Sequence, residues 1–129
     1  MAEVPKPKRI LIVEDEALIA LDVHDMLQEA GYGVAGTAER IEKALAMIAN
    51  EAIDAAVLDV NLDGEKIWPV AYALRDRNIP FVFLTGSSAQ LEPHQDFEKV
   101  LRLGKPVNAD ALFKAVAAMV EADLSHNPP

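Results

Sequence analysis

Four apolar runs punctuate the chain, and each leads into polar residues. Ile10-Leu11-Ile12-Val13 precedes Glu14-Asp15, and Ala55-Ala56-Val57-Leu58 precedes Asp59. Phe81-Val82-Phe83-Leu84 precedes Thr85, and Val100-Leu101-Arg102-Leu103-Gly104 precedes Lys105. Short runs of this kind, separated by stretches of helical periodicity, predict parallel strands buried on both faces. Strand one is about Arg9 to Val13. Ile19, Val23, Met26, Leu27 and Ala30 then mark one face of an amphipathic helix, stopped by Gly31. A weaker second strand runs from about Gly33 to Thr37, and Ile41, Ala44, Leu45 and Ile48 mark a second helix.

Strand three is about Ala55 to Asp59. A helix over about Glu65 to Arg77 follows, with Pro69 near its start, where a missing N–H is tolerated if the helix begins near Ile67. Strand four is about Pro80 to Leu84. The stretch Ser87 to Glu98 contains Pro93 and no clean stripe, which predicts at most a short helix. Strand five is about Lys99 to Leu103. Asn108 then caps a last helix running on Leu112, Ala115, Val116, Met119 and Val120. Right-handed crossovers between these strands predict an α/β fold: a doubly wound, flavodoxin-like parallel sheet of five strands in the order 2-1-3-4-5, a (βα)5 chain with a short or irregular fourth helix.

Composition narrows the class. The chain has 129 residues, 51% of them apolar, enough for one domain with a real core. Residues 1–8 read as a flexible Pro/Lys arm, 9–124 as the domain and 125–129 as a flexible tail. A net charge of -9 argues against nonspecific nucleic-acid or membrane-surface partners. Lys6, Lys8 and Arg9, interleaved with Pro5 and Pro7, read as a solvated lead-in. The absence of cysteine removes disulfides, thiolate zinc sites and thiol nucleophiles. No apolar signal core or membrane-length run is present, so the expected location is cytoplasmic.

In a doubly wound sheet, ligands bind beyond the carboxyl ends of the strands. Glu14, Asp15, Asp59, Thr85 and Lys105 therefore converge on one edge. Carboxylates about 4 Å apart repel by roughly 4 kcal/mol per pair at an effective dielectric near 20, so the cluster calls for a cation. Hard oxygen donors suit Mg²⁺. His24, His94 and His126 lack zinc-ligand spacing and read as surface residues. Beside such a metal Asp59 is an oxygen nucleophile suited to a phosphoryl group, with Lys105 and Thr85 placed to bond its oxygens.

These residues resemble the receiver domain of bacterial two-component response regulators over about Lys8 to Asp123. The resemblance rests on Ile-Leu-Ile-Val-Glu14-Asp15-Glu16, Val57-Leu58-Asp59-Val60-Asn61-Leu62, Leu84-Thr85-Gly86 and Gly104-Lys105-Pro106. It implies that Asp59 is the phosphoacceptor, Asp15 a direct metal ligand and Glu14 a second acidic residue at the metal. It further implies that Asn61 ligates Mg²⁺ through its backbone carbonyl, that Thr85 is the switch hydroxyl, that Lys105 pairs with the phosphoryl group, and that Lys105-Pro106 is cis. The implied partners are a sensor histidine kinase or a histidine phosphotransfer protein, and an unknown downstream protein. The expected oligomeric state is a monomer or weak homodimer.

Typical receivers carry an aromatic residue three positions before the lysine; here Arg102 stands there, read as a solvent-facing strand residue paired with a nearby carboxylate. With Phe81-Val82-Phe83-Leu84-Thr85-Gly86, this resembles a subgroup of single-domain receivers with an atypical fourth helix. Trp68 reads as a packing residue, and Asp63 and Glu65 as a solvated turn ending in Gly64. The expected function is a single-domain response regulator in a phosphorelay, signalling by phosphorylation-dependent protein binding or acting as a phosphate sink. It is not an enzyme with a separate substrate. One alternative is a phosphorylation-independent binding module on the same scaffold. A more remote one is a Mg²⁺-dependent aspartyl phosphatase of the haloacid dehalogenase type, whose second Asp two residues after the nucleophile is missing from Asp15-Glu16-Ala17.

Overall fold

The computed structural model describes residues 6–86 and 95–125. Its main sheet is built from β1 (Arg9–Val13), β2 (Gly33–Ala38), β3 (Ala55–Asp59), β6 (Phe81–Thr85) and β7 (Arg102–Gly104). All pairings are parallel, in the order β2-β1-β3-β6-β7. Counting only these five strands, this is the predicted order 2-1-3-4-5. The helices are α1 (Ala17–Glu29), α2 (Ile41–Asn50), α3 (Trp68–Asp76) and α4 (Ala109–Ser125).

Alternation along each strand divides the core into two layers. Ile10, Ile12, Ala55, Val57, Val82, Leu84 and Leu103 face α1 and α4, meeting Val23, Leu27, Leu112 and Val116. Leu11, Val13, Ala56, Leu58 and Phe83 face α2 and α3, meeting Ile48, Val70, Ala71 and Leu74. Because both faces are covered, the strands read in the sequence as unbroken apolar runs rather than alternating ones. Asn108 accepts a hydrogen bond from the Ala111 N–H at 3.0 Å and caps α4 as expected.

Two departures from the expected elements have physical causes. The helix after β3 starts at Trp68 and not near Glu65, because Glu65–Lys66 forms a strand, β5, antiparallel to β4 (Asn61–Leu62). Asp63 and Gly64 make the connection with φ of 49° and 87°. Two successive positive φ values mark the tight turn that matches strand twist, and Asp-Gly is suited to it. Strand five begins at Arg102 rather than Lys99, since the Val100 N–H bonds back to the Phe97 carbonyl at 3.1 Å. That bond closes a turn directly after the 3-10 helix Gln95–Phe97, whose Phe97 is 2% exposed. Most of the stretch predicted to be poor in helix, residues 87–94, lies outside the described residues.

Phe97 occupies the α2/α3 face beside Phe83. Its ring stacks on Trp68 at 5.8 Å and tilts against Tyr72 at 4.9 Å. The Arg75 guanidinium lies 5.2 Å from its centroid, and the Tyr72 hydroxyl donates to the Asp96 carboxylate. The Phe97 side chain thus covers apolar sheet beside Phe83.

Candidate functional site

Strand register builds the site. Val13 pairs with Leu58, so Glu14 follows β1 at the level of Asp59, the last residue of β3. Asp59 pairs with Leu84, and Thr85 pairs with Gly104, the residue before Lys105. The ladder continues past the strand ends: the Lys105 N–H bonds to the Thr85 carbonyl at 2.9 Å and the Val60 N–H to the Leu84 carbonyl at 3.1 Å. The Lys105-Pro106 peptide is cis.

Lys105 is the hub. Its Nζ lies 3.0 Å from Asp59 Oδ2, 2.8 Å from Glu14 Oε1 and 3.9 Å from Glu16 Oε1. Glu14, Asp59 and Thr85 are 1%, 4% and 7% exposed, while Asp15 is half-buried and Glu16 exposed. The Asn61 N–H donates to Asp59 Oδ1 at 3.2 Å, holding the carboxylate from the side opposite the lysine. The Glu16 N–H likewise donates to Glu14 Oε2 at 3.2 Å. Burial, reinforced by Asp59, pushes the Glu14 carboxyl up to about 7 against the lowering pull of Lys105. Burial also opposes the Lys105 charge, but the Glu14 and Asp59 carboxylates outweigh it and hold its pKa above the usual lysine value.

Glu14, Asp15 and Asp59 each offer an oxygen within 4.8 Å of the others. Glu14 Oε1 is buried without an aligned hydrogen bond. Three hard oxygen donors, with more negative charge than Lys105 alone balances, fit Mg²⁺, which takes a few carboxylates and fills its remaining positions with water and phosphate oxygens. A cavity of about 460 Å³ opens over them, and Asp15, Asp59, Asn61, Thr85 and Lys105 line it with Lys66.

The structure therefore brings together all six residues singled out from the sequence. Sequence reasoning missed Glu16, which joins the Lys105 ion pairs, and Lys66, carried to the cavity by the β4–β5 hairpin. The Asp63-Gly64 dipeptide was the available signal for that hairpin. Arg102 differs from expectation as well. It is half-buried, and among the described residues its Nε has no hydrogen-bond partner and it makes no ion pair with a carboxylate. Leu103 faces α1 and α4, so Arg102 projects to the opposite face, beside its β6 neighbour Phe83.

Among the described residues no helix is long and apolar enough to cross a membrane. The transcriptional regulatory protein PdtaR of Mycobacterium tuberculosis is 31% identical over 122 residues, 92% of this chain. The chain spans 60% of that relative's length. The solution structure of SdrG from Sphingomonas melonis Fr1 is similar with a TM-score of 0.79 at 44% identity, covering 91% of this chain and 99% of that one. The BeF3-activated conformation of SdrG gives a TM-score of 0.75 at 42% identity, with the same coverage. Residues 10–117 match the response regulator receiver domain, and the chain belongs to that family of two-component signalling proteins.

Proposed function

We propose that this chain accepts a phosphoryl group on Asp59 from the phosphohistidine of a sensor kinase or phosphotransfer protein, and signals by binding a further protein in the phosphorylated state. The observation that carries this reading is a buried carboxylate at the floor of an acidic cavity, 3.0 Å from a lysine ammonium. Glu14, Asp15, Asp59 and the Asn61 carbonyl would hold Mg²⁺. When bound, the ion neutralises carboxylate and phosphoryl charge in the cavity.

The chain's own groups account for the rest. An Asp59 oxygen attacks phosphorus while the bond to the donor's imidazole nitrogen breaks; that nitrogen keeps the electron pair and takes up a proton. The Asn61 N–H on Oδ1 and Lys105 on Oδ2 fix the carboxylate plane before attack. Lys105 then pairs with a phosphoryl oxygen and the Thr85 hydroxyl donates to another, which stabilises the new charge of roughly -2. Loss of the Lys105 bond from Asp59 and Glu14 and gain of the Thr85 bond bias the Thr85-Gly86 end of β6 toward a second arrangement.

The test is exposure to acetyl phosphate or beryllofluoride in Mg²⁺, read by intact mass and amide NMR, beside Asp59→Asn. One added phosphoryl group in wild type only, with shifts spreading from Asp59 toward Arg102, is expected. Phosphorylation without distant shifts would assign the chain to a sink or relay. No phosphorylation in the presence of Mg²⁺ would overturn the reading.

A further inference from the structure

The β4–β5 hairpin has a register that decides which charge faces the site. Asn61 pairs with Lys66, and Leu62 pairs with Glu65. Residues directly opposite in an antiparallel pair project from the same face. Asn61 and Lys66 together line the cavity over Asp59. Leu62, 1% exposed, turns the other way into the α2/α3 core layer, and with Glu65 lines a separate cleft near Glu39 and Glu42. The turn that sets this register is closed by Asp63 and Gly64 in positive φ, and the Ile67 N–H on the Val60 carbonyl at 3.0 Å ties the hairpin's end back to its start. A slip of one residue would exchange Lys66 for Glu65 over the cavity.

The charge balance makes that choice consequential. The cavity is lined by the carboxylates of Asp15, Glu16, Asp59 and Asp63, and Lys105 is engaged by Glu14, Asp59 and Glu16 within 3.9 Å. Lys66 is the other cation of the cavity lining; it is exposed and makes no ion pair among the described residues. For a dianionic phosphodonor approaching a chain of net charge -9, an exposed lysine at the cavity offsets the repulsion of the surrounding carboxylates.

We infer that Lys66 is a substrate-binding residue for small-molecule acyl phosphates, contacting the donor's phosphoryl oxygens at the cavity mouth before Asp59 attacks. The inference rests on Asp59 being the phosphoacceptor. In the step it serves, an Asp59 oxygen bonds to phosphorus and the bond from phosphorus to the acyl oxygen breaks. The carboxylate leaves with the electron pair, so atoms and charge balance with no further reactant. Lys66 acts on donor capture, while Lys105 acts on the transferred group. Its positive charge also opposes Mg²⁺ entering the same cavity, so the two effects of removing it have opposite signs.

The experiment compares wild type, Lys66→Gln and Glu65→Gln. Phosphorylation by acetyl phosphate in saturating Mg²⁺ is followed by intact mass at low and high salt, and Mg²⁺ affinity is measured without donor from amide shifts. Lys66→Gln is expected to slow phosphorylation about threefold to tenfold at low salt, with the gap closing at high salt, and to bind Mg²⁺ more tightly. Glu65→Gln, on the other face of the same hairpin, is expected to change the rate less than about twofold. Equal rates for wild type and Lys66→Gln at low salt would overturn the inference and leave the reading of Asp59 standing. A slower Lys66→Gln rate insensitive to salt, with unchanged Mg²⁺ affinity, would reduce Lys66 to a structural role and overturn it too. Failure of wild type to be phosphorylated would instead overturn the reading of Asp59.

Discussion

At Glu14 a carboxylate 1% exposed and a lysine 2.8 Å away share their space with Asp59, leaving more negative charge than Lys105 balances. The outcome is a Glu14 carboxyl pushed up from 4.5 to about 7. A carboxyl with a raised pKa in the folded state binds a proton more readily there than in the unfolded chain. Stability in metal-free buffer therefore falls as pH rises from about 4.5 through 7, by on the order of 3 kcal/mol. Urea midpoints in chelator at pH 5 and 8 test this: Glu14→Gln should remove that part of the slope, and an identical slope in the variant would show that the charge is relieved elsewhere. A metal ligand must be deprotonated, so Mg²⁺ affinity should climb with pH below about 7, up to tenfold per unit, and level off above it. An affinity flat from pH 5 to 8 would remove Glu14 from the ligand set.

Helix α1 leaves Glu16 and enters solvent with Leu18 80% and Leu21 55% exposed. Under the proposed function, exposed apolar side chains on α1 are the expected contact surface for a donor protein. Leu18→Glu or Leu21→Glu should lower phosphotransfer from a donor kinase about tenfold or more while leaving acetyl phosphate labelling unchanged. Equal losses with both donors would mean that the substitution damaged the site itself. At the other end of the chain order, the Asn108 cap on α4 predicts a loss of about 1 kcal/mol for Asn108→Ala, read from the urea midpoint. Between these helices, the 3-10 turn is anchored by the Phe97 ring and by the Tyr72–Asp96 hydrogen bond. Phe97→Ala should destabilise the fold by about 3 to 5 kcal/mol, because Trp68, Tyr72 and Phe83 lose a shared contact with little means of collapse.

Seen as one molecule, the part legible in advance is the part written in long apolar runs. Strands buried on both faces announce themselves and end where the chain turns polar, so Glu14, Asp59, Thr85 and Lys105 were visible as strand-end chemistry before any coordinates. The β4–β5 hairpin was not, because its strands have two residues each and bury Leu62 alone. Arg102 was misjudged because sequence shows which strand a residue sits on but not which neighbours reach it. Phe97 sat outside any recognisable stripe, so its burial depends on partners brought by α3 and β6 and on no local pattern. That same ring has an optical consequence. Trp68 is the sole tryptophan of the chain, lying at 19° to the Phe97 plane and edge-on to Phe83 at 5.7 Å. Indole emission thus arises from a single spot, resting on the turn that joins the Thr85 end of the sheet to β7. An event at Asp59 that unseats Phe97 would expose more of the half-buried indole and redden its spectrum, so under the proposed function the protein carries its own label-free gauge of whether the signal has left the cavity.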